Sequence, residues 1–134
     1  MINILVNHDP ECYNARMHEL SVTESILSIC NRYAEQVEAT AVTDVYLVIG
    51  ELSSIIDDSV QFYWDFITKN SICENSILHF TRIPAKARCL KCDTVFEMKE
   101  LIPCPNCKSA RFKIIEGEEF FVDSIKVTKE GQND

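Results

Sequence analysis

The spacing of apolar residues divides the chain into alternating helical and extended pieces. From Ser21 the apolar positions Val22, Ile26, Ile29, Cys30, Tyr33, Ala34 and Val37 recur at helical intervals on one face. Ser21, with Glu24 three residues on, reads as a capping box opening that helix. Val45 to Ile49 is a short β-branched and aromatic run, hence a strand, stopped by Gly50. Asp58 with Gln61 reads as a second cap, and Val60, Tyr63, Trp64 and Ile67 continue a helix to about Asn70. Residues 77–83 alternate as a strand up to Pro84, and Phe120 to Val127 reads as a last strand. Residues 1–16 show no sustained period, and the terminal EGQND is expected to be loose.

This order predicts an α+β fold: a small mixed sheet with two helices, interrupted by an inserted cysteine module. The last strand is too apolar to stand alone and is expected to return to the sheet of the first part. The expected organisation is an extension at 1–16 that is disordered or missing from the mature protein, a domain at 17–83 completed by a returning strand at 118–130, and the inserted module at 84–117.

The module, CLKCDTVFEMKELIPCPNC, changes the picture most. Cys89 with Cys92 and Cys104 with Cys107 are two C-x2-C pairs, separated by eleven residues. Each pair makes a tight knuckle that turns both sulfurs to one side, and two knuckles build a tetrahedral four-sulfur site suited to structural Zn²⁺. Four thiolates leave no position for water, so a catalytic zinc is not expected. An iron site of the rubredoxin type would favour glycine after each knuckle, where this chain has Asp93 and Lys108. The seven cysteines, with no basic leader and no long apolar run, suggest a cytoplasmic protein with thiols and metal ligands in place of disulfides.

Charge divides the same way. The net charge of −8 conceals ten acidic and two basic residues in 17–80, against seven basic and three acidic in 85–115. A basic ribbon admits a nucleic-acid- or protein-binding adaptor as an alternative function. Aromatic interleaving is sparse and the body is acidic, so nucleic acid is not the expected partner. No Ser/His/Asp constellation or phosphate-binding glycine loop stands out, and an enzyme is not expected.

MHELS at Met17, IGELSS after the first strand, ARC-x2-C with PCPNC, and GEEFFVDSIKV together resemble the HypA/HybF family of nickel-insertion proteins, from Met17 to about Val127. The resemblance implies a nickel metallochaperone that delivers Ni(II) to the hydrogenase large subunit. It also implies work with a nickel-binding GTPase and, in some organisms, with urease maturation proteins. In that family the methionine is the N-terminus and nickel sits on the MHE segment, which maps to Met17, His18 and Glu19. The chemistry suits such a start: a free amine, a neighbouring backbone nitrogen and an imidazole at position two form fused chelate rings around Ni²⁺. Glu19 either ligates directly or bonds to the imidazole. This chain departs by carrying sixteen residues before Met17, which would turn its amine into an amide, so a start at Met17 or removal of the leader is expected. His8 and Cys12 could substitute as ligands, though nothing in their spacing supports it. Asp57, Asp58 and Glu51 are weaker nickel candidates. Cys30 and Cys73 are expected in the core, and His79 on a strand.

Overall fold

The computed structural model describes residues 2–6, 19–53, 55, 57–98 and 104–129. The elements run β1 (Ile2–Leu5), α1 (Glu19–Gln36), β2 (Ala39–Gly50), α2 (Asp57–Ile67), β3 (Ile77–Ile83), β4 (Lys86–Cys89), β5 (Val95–Glu97), β6 (Phe112–Glu116) and β7 (Phe120–Lys129). The expected α+β architecture with an inserted ribbon is what forms. A four-stranded sheet has the order β1-β7-β2-β3, and a separate three-stranded sheet has the order β5-β4-β6.

The first sheet is mixed because α2 carries the chain from β2 back to a parallel β3, whereas β7 returns from the ribbon antiparallel to β2. One face of β2 and β7 supplies Val45, Leu47, Ile49, Phe120, Val122, Ile125 and Val127, all buried. They pack with Val22, Ile26, Ile29, Cys30 and Ala34 of α1 and with Val60 and Trp64 of α2 in one core cluster. Trp64 is fully enclosed, and its indole Nε1 donates to Ser76 Oγ at 2.9 Å, so the one polar atom of the ring is satisfied. Cys30 and Cys73 lie in this core at 0% exposure. A hydrogen bond with Cys73, burial and charge repulsion together push the Cys30 thiol well above its usual value, so it packs as a neutral group.

Several local expectations fail for tertiary reasons. Residues 1–16 gave no element, yet Ile2–Leu5 pair antiparallel with Ser124–Val127 of β7, and Val6 is 1% exposed. Four residues are too few to show a period; the open edge of β7 supplies the partner that makes them a strand. The capping boxes are also misplaced. Helix α1 starts at Glu19, putting Ser21 inside it. Gln61 does not bond back to the start of α2; it donates to Asp65 and accepts the Leu78 amide of β3 at 3.3 Å. Strand β2 begins at Ala39, six residues early, because β7 offers partners as far as Lys129, accommodated by bulges.

The ribbon joins the sheet through two short connections that cross the end of β2. Gly50 N donates to Glu119 O at 2.6 Å, Leu52 N to Gly117 O at 2.7 Å and Glu51 N to Ile83 O at 2.9 Å. A side chain on Gly50 would overlap the Gly117 carbonyl, and one on Gly117 would come within 2.6 Å of Ala85 Cα. Gly117 also takes φ 118, which other residues adopt only with strain. Backbone cannot retreat like a flexible side chain. Gly50→Ala is therefore expected to destabilise the fold by about 3 kcal/mol or more, beyond ordinary overpacking. Thermal unfolding followed by circular dichroism checks this; an unchanged midpoint would show that the crossing is loose.

Candidate metal centre

The two knuckles are built alike. In the first, Lys91 N donates to Cys89 Sγ at 3.4 Å and Asp93 N to Cys89 O at 3.0 Å. In the second, Asn106 N donates to Cys104 Sγ at 3.4 Å and Lys108 N to Cys104 O at 2.9 Å. The residue closing each turn is left-handed, Asp93 at φ 64 and Lys108 at φ 65, so two non-glycine residues hold a conformation that glycine usually fills. The Lys91 and Asn106 amides supply partial positive charge to the Cys89 and Cys104 sulfurs.

The hairpins bring the four sulfurs together. Cys89 Sγ lies 3.4 Å from Cys107 Sγ, Cys92 Sγ lies 3.7 Å from Cys104 Sγ, and all four are within 4.8 Å of one another. A tetrahedral zinc with bonds of about 2.3 Å needs sulfurs about 3.8 Å apart, so the cage is compatible with Zn²⁺. Cys89 and Cys104 are fully buried, whereas Cys92 and Cys107 are half-buried.

The thiols are not equivalent. Hydrogen bonds from the Thr94 side chain and amide and from Asn106 Nδ2 lower Cys92 to about 6. Thr94 Oγ1 is 3.1 Å and Asn106 Nδ2 3.5 Å from that sulfur, and the two side chains are 3.2 Å apart. The Cys92 amide, chiefly, also lowers Cys89. At Cys107 the Ser109 amide lowers the thiol, but burial and bonds to the other three sulfurs outweigh it, leaving it at about 11. Thr94 and Asn106 are the functional residues that cysteine spacing did not reveal. Their positions, two residues past one knuckle and inside the other, were the available signal.

The other candidates fare unevenly. Glu19 is half-buried at the first position of α1. Met17, His18, His8 and Cys12 lie outside the described residues. Asp57 Oδ1 accepts from Arg82 at 2.5 Å, which gives it a structural partner linking α2 to β3. Asp58 and Glu51 are exposed. His79 is a strand residue as expected: its Nε2 is 2.8 Å from Asp44 Oδ1 and its ring stacks on Tyr46 at 4.6 Å. Burial raises Asp44, but bonds from His79 and Thr43 outweigh it and hold the carboxyl below its ordinary value.

Residues 17–127 match the family described as "Hydrogenase/urease nickel incorporation, metallochaperone, hypA". The chain belongs to the HypA family. The HypA hydrogenase maturation factor of Dehalococcoides mccartyi strain BAV1 is 40% identical over 118 residues, 87% of this chain and 99% of that protein. The HypA of Geobacter sulfurreducens is 34% identical over 112 residues, 83% of this chain and 99% of its own length. The solution structure of the Ni metallochaperone HypA from Helicobacter pylori superposes with a TM-score of 0.63 at 26% identity, over 85% of this chain and all of that one. A second HypA solution structure gives 0.68 at the same identity, over 85% and 98% of the two chains. HypA proteins form a metallochaperone family of hydrogenase maturation, and the match begins at Met17, leaving β1 outside it.

Binding of a divalent metal by the cage displaces protons, so acid and metal compete. At neutral pH, titrating Zn²⁺ into the metal-free protein is expected to fill one site per chain and release protons. Calorimetry in buffers of differing ionisation enthalpy checks this. Cys92→Ser is expected to weaken binding more than tenfold; equal binding by that variant would remove Cys92 from the ligand set.

Proposed function

We propose that the chain captures Ni(II) on the segment Met17-His18-Glu19 and hands it to the immature large subunit of a [NiFe] hydrogenase. The observation that carries this reading is that the family match begins at Met17, where an imidazole and a carboxylate follow in order. His18 supplies the imidazole. Glu19, next in sequence and in the first turn of α1, would ligate directly or bond to that ring. Where the chain starts at Met17, its amine adds a third strong donor; where residues 1–16 remain, that nitrogen is an amide.

The four thiolates of Cys89, Cys92, Cys104 and Cys107 would hold a structural Zn²⁺, which supplies the ribbon with folding free energy and takes no part in the transfer. No bond of an organic substrate is made or broken. A nickel-binding GTPase is the natural partner in such a pathway, with urease maturation proteins as further clients, and the cytoplasm is its setting.

Nickel titration of the 134-residue chain, of the same chain starting at Met17 and of His18→Ala tests the proposal. The form starting at Met17 is expected to bind more tightly than the full chain. His18→Ala is expected to lose tenfold or more in affinity, about 1.4 kcal/mol or above. Normal nickel binding by His18→Ala would overturn the assignment.

A further inference from the structure

The four sulfurs of the ribbon are guarded unequally. Cys89 and Cys104 are fully buried, whereas Cys92 and Cys107 are half-buried, so solvent reaches the second pair. Thr94 Oγ1 lies 3.1 Å and Asn106 Nδ2 3.5 Å from Cys92 Sγ, and these two side chains bond to each other at 3.2 Å. They clasp Cys92 from both knuckles, because Thr94 follows the first and Asn106 belongs to the second. Cys107 has no such clasp. Among the described residues, no side chain except the other cysteines bonds to its sulfur, and the Ser109 amide is its backbone donor.

With zinc bound, all four sulfurs are thiolates, so protonation no longer distinguishes them. Access and hydrogen bonding do. A donor on a thiolate draws charge off the sulfur and makes it a poorer nucleophile. Of the two sulfurs within solvent's reach, Cys107 therefore keeps the greater nucleophilicity. Cys89 Sγ lies 3.4 Å from it, on the opposite knuckle. Cys30 and Cys73 are enclosed in the core of the other lobe and take no part.

We infer that Cys107 is where hydrogen peroxide attacks the zinc-loaded cage, and that Cys89 then closes a disulfide with it. The Cys107 thiolate takes OH from the peroxide: an S–O bond forms, the O–O bond breaks, and hydroxide leaves with the electron pair. The Cys89 thiolate next attacks the resulting sulfenic acid; an S–S bond forms, the S–O bond breaks, and a second hydroxide leaves. Two electrons have passed from two thiolates to one peroxide, and both hydroxides take protons from water or buffer. A disulfide sulfur is a poor zinc ligand, so half of the bonds to the metal are lost and zinc departs. The ribbon is thereby unfastened while the core of the other lobe stays closed. This inference rests on the reading that the cage holds zinc.

The test uses the zinc-loaded full chain carrying Cys12→Ser, which leaves the buried Cys30 and Cys73 as the thiols outside the cage. Zinc content is measured first; once the cage is shown to be filled, every later result bears on Cys107 alone. After limited hydrogen peroxide the remaining thiols are alkylated, peptides are mapped without reduction, and bound zinc is counted by elemental analysis after desalting. The expected product is a Cys89–Cys107 link, with zinc lost in proportion and Cys92 oxidised about tenfold less than Cys107. A dithiol reductant with fresh Zn²⁺ is expected to refill the cage. Thr94→Val/Asn106→Ala is expected to bring Cys92 up to the rate of Cys107, whereas general loosening would speed both and leave their ratio alone. Oxidation of Cys92 ahead of Cys107, a first link that omits Cys89 or Cys107, or zinc loss that reductant does not reverse would overturn the inference. So would an unchanged ratio in the double variant.

Discussion

Two strands of backbone meet at Gly50 and Gly117 without room for a methyl group between them, and the placement of everything beyond depends on that contact. Among its described residues the ribbon has no helix to wedge it against the body. It hangs from two connections, Ile83–Ala85 and Gly117–Glu119, in which Ile83 O, Gly117 O and Glu119 O accept the amides of Glu51, Leu52 and Gly50. Bonds of this kind are directional, and a group left unpaired in so close a crossing would lose its water without compensation. The sulfur cage therefore keeps a defined position relative to the Glu51–Leu52 turn rather than swinging on a tether.

The two lobes hold together by different means. The sheet and helices enclose a continuous apolar cluster that includes Trp64, Phe120 and several isoleucines and valines. Among its described residues the ribbon buries small side chains, Ala85 and Ala87, beside Cys89 and Cys104. Such a piece cannot offset its own conformational entropy by burial, whereas a structural zinc supplies about 10–16 kcal/mol in isolated fingers. A metal held by the four sulfurs would take the place of a core.

What could be read beforehand was whatever the chain encodes locally. The knuckles are set by two-residue spacing, so all four sulfurs were placed correctly from the sequence. Helix α1 was visible because its apolar face persists over several turns. Failures occurred where a partner distant in sequence decides the outcome. Ile2–Leu5 becomes a strand only because β7 has an open edge, and Gln61 forgoes its helix end because the Leu78 amide of β3 needs an acceptor. Gly50 of IGELSS reads locally as a strand terminator and Gly117 of GEEFF as nothing more than a turn; their close approach to each other is the stronger reason for both. Asn106 supports the sulfur of the opposite knuckle, a relation that no one-dimensional spacing displays.

The lone tryptophan sits in the dry core of the first lobe, hydrogen-bonded to Ser76 and remote in sequence from the ribbon. Its ultraviolet emission is accordingly a reporter for one half of the molecule. Quenching and red shift on heating will follow the sheet and helices, while departure of metal from the sulfur cage is followed by a colorimetric chelator. An optical record that stays flat as chelator colour develops would separate the two lobes as independent cooperative units within a single polypeptide.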